Sequence, residues 1–159
     1  MRLGLEGQVR HWLGDGLELP FDDASFDVVW TQNSGMNIAG KERLYSGFSR
    51  VLRTGGMLTL QEPMNGPVQP LVFPVMWATE ASMSFLRTPE EMRAVIEAAG
   101  FRQREWHKMP SPSAAQSSTG PASIQQLVMS DSLPAMSTAR KRNAEENRQV
   151  NMQGIFDRL

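Results

Sequence analysis

Residues 14–30 read Gly14-Asp15-Gly16-Leu17-Glu18-Leu19-Pro20-Phe21-Asp22-Asp23-Ala24-Ser25-Phe26-Asp27-Val28-Val29-Trp30. The last five form a short apolar run, β-branched and aromatic, with the composition of a strand buried on both faces, as in a parallel sheet. The turn-forming Pro20-Phe21-Asp22-Asp23-Ala24-Ser25 sets off its start. Upstream, Gln8-Val9-Arg10-His11-Trp12-Leu13 alternates apolar with polar and meets Gly14-Asp15-Gly16, which predicts a strand running into a loop.

Downstream, Leu44, Tyr45, Phe48, Val51 and Leu52 recur at helical spacing, and Thr54-Gly55-Gly56 supplies the glycine stop expected just past a helix end. A strand is predicted at Met57-Leu58-Thr59-Leu60-Gln61. Residues 63–87, rich in Pro, Met and aromatics without a clean period, read as an irregular excursion with one short helix at most. Thr88-Pro89-Glu90-Glu91 then combines an N-cap threonine, a proline at the first helical position and a capping-box glutamate. Met92, Val95, Ile96 and Ala99 make one apolar face, and Gly100 ends that helix. Residues 101–107 predict another strand, residues 109–121 a flexible Pro/Ser/Gly loop, and residues 123–129 and 134–146 two helices. Val150, Met152, Ile155 and Phe156 predict a last strand. Strands separated by helices give an α/β class in one domain over residues 1–159.

With 159 residues and 40% hydrophobic content the chain can bury one core. Its net charge of -1 offers no broad attraction to nucleic acid or to anionic membrane. Cysteine is absent and the two histidines, His11 and His107, are isolated, so no metal centre is expected. No apolar run approaches the roughly 20 residues of a membrane helix, and no signal pattern opens the chain. Cytosol is the default location.

Residues 14–30, Arg50-Val51-Leu52-Arg53-Thr54-Gly55-Gly56 and residues 88–101 together resemble, in order and spacing, class I S-adenosylmethionine-dependent methyltransferases of the UbiE type. The resemblance implies a partial Rossmann-like sheet, strands three to seven of that family's seven with the last antiparallel, flanked by helices. It also implies methyl transfer from S-adenosylmethionine to a small-molecule acceptor. In an open α/β sheet ligands bind beyond the carboxyl ends of the strands. Asp15, just past such an end, is similar to the family residue that contacts the adenine amino group, and the backbone at Gly16 and Leu17 would frame the ring. Taken alone, Asp15 is better explained as the cap of a turn beside glycine; the full motif favours the cofactor role.

The loop Thr31-Gln32-Asn33-Ser34-Gly35-Met36-Asn37 would lie over the methionine end of the cofactor. Gln32 and Asn33 are the cofactor candidates there, and Asn37 and Trp77 the substrate candidates. These polar groups serve as well to satisfy loop backbone. Relatives often carry histidine where Asn33 stands, which removes a base from this position. In-line transfer from a sulfonium rests on proximity and orientation, so no catalytic side chain is assigned. Phe73, Met76, Trp77, Met83 and Phe85 are candidates for an apolar acceptor pocket or for core filling. Glu62 either faces that pocket or is a solvated carboxylate. Arg140-Lys141-Arg142, with Glu145 and Glu146 nearby, reads as a solvated helix face.

The family's opening strand, glycine-rich turn and ribose-binding acid have no counterpart before Gln8. The chain alone is therefore expected to be inactive and to bind S-adenosylmethionine poorly. A non-catalytic remnant or interaction module is the alternative, and a start at Met1 that is internal to a longer protein is a third. Because the family places the two absent strands between its third and fourth, either the Gln8 strand moves beside the one at Phe26 or an apolar edge stays open there, inviting self-association or a partner chain.

Overall fold

The structure, a computed structural model, describes residues 7–109 and 150–159. Four strands form one mixed sheet: β1 (Phe26–Gln32), β2 (Leu52–Met64), β3 (Phe101–Met109) and β4 (Val150–Arg158), in the order β1-β2-β4-β3. β1 and β2 are parallel, and β4 is inserted antiparallel to both β2 and β3. Helix α1 (Lys41–Val51) joins β1 to β2, and α2 (Pro89–Ala98) precedes β3. The expected α/β sheet with an antiparallel last strand is present; β2 runs on through Pro63 and Met64, which the sequence assigns to the excursion, and the irregular stretch after it contains one short 3-10 turn at Ala81–Met83. The expected loop over residues 109–121, beyond Met109, and the helices over 123–129 and 134–146 lie outside the described residues, as do Arg140 to Arg142.

Alternation in β2 sets the core. Leu58, Leu60, Glu62 and Met64 point to one face, where Leu44, Tyr45 and Phe48 of α1 and Met92 and Ile96 of α2 meet them. Met152 and Phe156 of β4 and Phe101 of β3 continue this layer. Gly154 of β4 admits the Trp106 ring: a Cβ there would sit 2.6 Å from it. Helix α2 begins as expected, with Thr88 Oγ1 accepting from the Glu91 N–H at 3.2 Å and Glu91 Oε2 accepting from the Thr88 N–H at 2.8 Å. It ends at Gly100, whose φ of +91° few other residues adopt.

Three expectations are corrected. Residues 8–13 form no strand; they are exposed, with Trp12 stacked edge-on to Phe21 at 5.3 Å. An extended segment needs a neighbour to take its backbone hydrogen bonds, and no strand lies beside this one in the sheet. β1 is not buried on both faces. It is an edge strand, with Val29 and Thr31 turned to the core while Val28 and Trp30 are 47% and 71% exposed. Finally, Thr54-Gly55-Gly56 does not cap α1, because Leu52 is already extended. The glycines build an irregularity in β2, where Phe26 pairs with Leu52 but Val28 with Met57. Gly55 takes φ +75°, and a Cβ on Gly56 would stand 2.8 Å from the Arg53 carbonyl oxygen.

Candidate functional site

At the carboxyl end of β1 the chain leaves the sheet through Asn33, whose φ is +50° and whose N–H donates to the Gln61 carbonyl at 2.9 Å. Asparagine tolerates this left-handed conformation better than most residues. A 3-10 turn, Gly35–Asn37, follows and leads into α1.

This turn rests on a buried carboxylate. Glu62, 3% exposed near the end of β2, receives the Thr31 hydroxyl at 3.2 Å and the N–H groups of Ser34 at 3.3 Å and Gly35 at 2.9 Å on Oε1. Its Oε2 receives the Met36 N–H at 3.3 Å. Burying a carboxylate is costly unless donors surround it, and the unpaired N–H groups of a turn's first residues supply them. A side chain at position 35 would crowd this arrangement, since a Cβ on Gly35 would meet Glu62 Oε1 at 3.1 Å. Lys41, 2% exposed, donates its ammonium to the Gly35 carbonyl and, at 3.0 Å, to the Ile38 carbonyl. Burial pulls the Lys41 pKa down to about 8, against an upward pull from the nearby Glu62 charge. The phenol of Tyr45 is buried beside the pair and held well above its ordinary pKa, chiefly by burial and then by Glu62. A cavity of about 10 Å³ borders Glu62, Lys41 and Tyr45, room for one water and no larger ligand.

Toward the outside, the turn is tied to the excursion. Asn37 Nδ2 donates to the carbonyls of Trp77 at 3.0 Å and Met83 at 2.8 Å, and the Phe85 N–H donates to the Met36 carbonyl at 2.8 Å. The Trp77 indole donates to Ser84 Oγ at 3.1 Å. The structure therefore joins the two substrate candidates, Asn37 and Trp77, through a side chain and a backbone carbonyl. Of the five apolar candidates, Met76, Met83 and Phe85 are 38%, 46% and 36% exposed. None of the five lines the small cavity.

The second candidate segment packs against the same end of the sheet. Asp15 is exposed and its Oδ1 accepts from the Leu17 N–H at 2.9 Å, closing a turn. The Cα of Gly16 faces Ile38 and Leu44, and Leu17 lies against Gly40, so this turn abuts the junction between the Gly35–Asn37 turn and α1. Gln32 and Asn33 are exposed on the adjoining rim. Among the described residues no three His, Cys, Asp or Glu side chains are grouped to hold a metal ion, and no helix is long and apolar enough to cross a membrane.

The sequence leaves Glu62 between a pocket wall and a solvated group; it is buried, and the space it borders is the small cavity beside Lys41 and Tyr45. Its place in the alternation of Leu58, Leu60 and Met64 was the available signal. Lys41 carried no such signal, because a lysine in a first helical turn ordinarily reads as solvated.

Comparison with known proteins agrees with this architecture. A family model described as a methyltransferase domain matches residues 2–60. The sarcosine/dimethylglycine N-methyltransferase of Halorhodospira halochloris is 34% identical over 92 residues, 54% of this chain and 31% of that protein. The ubiquinone/menaquinone biosynthesis C-methyltransferase UbiE of Idiomarina loihiensis is 26% identical over 127 residues, covering 67% of this chain and 51% of that protein. The chain thus spans about a third to a half of the length of these relatives. Among solved structures, the geranyl diphosphate C-methyltransferase of Streptomyces coelicolor A3(2) superposes with a TM-score of 0.70 at 16% identity, over 99% of this chain and 55% of that one. The [4+2]-cyclase SpnF superposes with a TM-score of 0.65 at 18% identity, over 98% of this chain and 58% of that one. The ordered motifs, the sheet and these relatives together support a class I S-adenosylmethionine-dependent methyltransferase fold, with the methyltransferase-domain model matched over residues 2–60.

Proposed function

We propose that the chain contributes one side of a site for methyl transfer from S-adenosylmethionine to a small-molecule acceptor, and that residues 1–159 alone are inactive. The observation that carries this reading is the convergence of the turn at residues 14–17 and the rim of residues 32–37 at one end of the sheet. Asp15, with the backbone of Gly16 and Leu17, takes the adenine. Gln32 and Asn33 take the methionine end, and Asn37 and Trp77 shape the acceptor side. S-adenosylmethionine brings the reactive methyl group and its sulfonium leaving group. The chain's part is to orient and to exclude water, through groups held in place by the backbone. Small acceptors are named for several relatives, including sarcosine and dimethylglycine. A cytosolic location belongs to the same reading and suits a chain without cysteine.

The second reading, a non-catalytic interaction module, draws on the open edge of β1 with Phe26, Val28 and Trp30 exposed, a surface suited to pairing with another copy or a partner chain. One titration separates the two. With half a site, millimolar S-adenosylhomocysteine should shift the amide resonances of Gly16, Leu17, Gln32 and Asn33, while calorimetry at micromolar concentrations shows no saturable binding. Saturable micromolar binding would make the chain self-sufficient, and no shift at those four amides would leave the interaction module.

A further inference from the structure

We propose that Glu62 is a positioning residue whose carboxylate, opposed by the Lys41 ammonium, fixes the turn over residues 34–37 and thereby presents Gln32, Asn33 and Asn37 to ligand in one geometry. The cofactor assignment of that rim rests on the reading above; the clamp itself rests on the bonds within the chain.

The geometry is unlike that of an ordinary buried acid. One carboxylate receives three backbone N–H groups in succession, from Ser34, Gly35 and Met36, together with the Thr31 hydroxyl. One ammonium takes the Gly35 and Ile38 carbonyls. The turn has only two backbone bonds of its own, Asn37 N–H to the Ser34 carbonyl at 3.3 Å and Ile38 N–H to the Gly35 carbonyl at 2.9 Å, and the two buried charges add to them, the carboxylate taking its outward N–H donors and the ammonium its carbonyls. The Glu62 charge also acts on the Lys41 ammonium, favouring its charged form against the larger effect of burial. The turn passes its geometry outward through Asn37 to the carbonyls of Trp77 and Met83, and through Met36 to Phe85. Glu62 touches none of these outer groups and acts on them through the turn. Gly35 lets the turn sit close on the carboxylate, where a Cβ would press against Glu62 Oε1 at 3.1 Å.

Glutamine at position 62 keeps the shape but turns an –NH2 toward an N–H or hydroxyl that the carboxylate now accepts, so the four bonds cannot all be kept. In the Glu62→Gln chain, amide hydrogen exchange of Ser34, Gly35, Met36 and Phe85 should accelerate by about tenfold or more beyond any change in the β2 and β4 amides, the scale expected for loss of a charged hydrogen bond. Millimolar S-adenosylhomocysteine should still shift Gly16 and Leu17, whereas its shifts at Gln32 and Asn33 should disappear. Exchange that changes no more at the turn than in the sheet overturns the proposal. So do shifts at Gln32 and Asn33 that survive the substitution. If the unsubstituted chain shows no shift at any of the four amides, the cofactor reading falls and the exchange comparison alone decides the clamp. Should Glu62→Gln fail to fold, Lys41→Met, which spares the carboxylate and removes the two carbonyl bonds, is read on the same amides with the same two outcomes.

Discussion

Lys41 shows how a single residue can be invisible in a sequence and decisive in the fold. It stands at the first position of α1, where charge is usually solvated, yet it is 2% exposed and its pKa falls to about 8. A lysine whose folded pKa lies below its unfolded value binds fewer protons folded than unfolded between the two. Stability therefore rises with pH across the window from about 8 to the ordinary value of 10.5. Between pH 7.5 and 9.5 urea unfolding should show the native chain gaining about 2 kcal/mol relative to Lys41→Met. Tyr45, with its pKa raised by burial, opposes this only above its own unfolded value of 10.0, where its phenol would ionise in the unfolded chain first. A flat difference across the window would mean that the ammonium is solvated. Glu62 was half legible, because the two-residue period of β2 placed it on the buried face, whereas its four donors come from residues about 30 positions away.

Elements with local causes were read correctly. The α2 start was written in Thr88, Pro89 and Glu91, and the capping box forms within four consecutive residues. Thr88→Ala should cost about 1 kcal/mol in urea unfolding, with the loss seen first in the α2 amides by hydrogen exchange. Elements whose causes are distant were misread. Residues 8–13 have a strand's pattern without a neighbouring strand, and the glycines at 55 and 56 serve a sheet irregularity opposite Asp27 rather than the end of α1. The same is true of Gly154, required by the Trp106 ring of another strand.

At the scale of the whole molecule, the described helices cover one face of the sheet and leave β1 as an apolar edge. Sedimentation at micromolar concentration should detect self-association, and Trp30→Lys, which puts a charge on the most exposed large apolar residue of β1, should shift the population to monomer. A compact monomer in the unsubstituted chain would count against pairing through this edge. The sequence by itself determined the α/β class, the capped helix and the order of the motifs that carry the methyltransferase resemblance, since periodicity, capping and turn chemistry act between residues a few positions apart. Only the tertiary structure decided which strand is an edge, that residues 8–13 are not a strand, and that Glu62 and Lys41 meet around one turn. Those outcomes depend on pairing and burial between distant segments, and no local pattern of residues encodes what will be brought alongside.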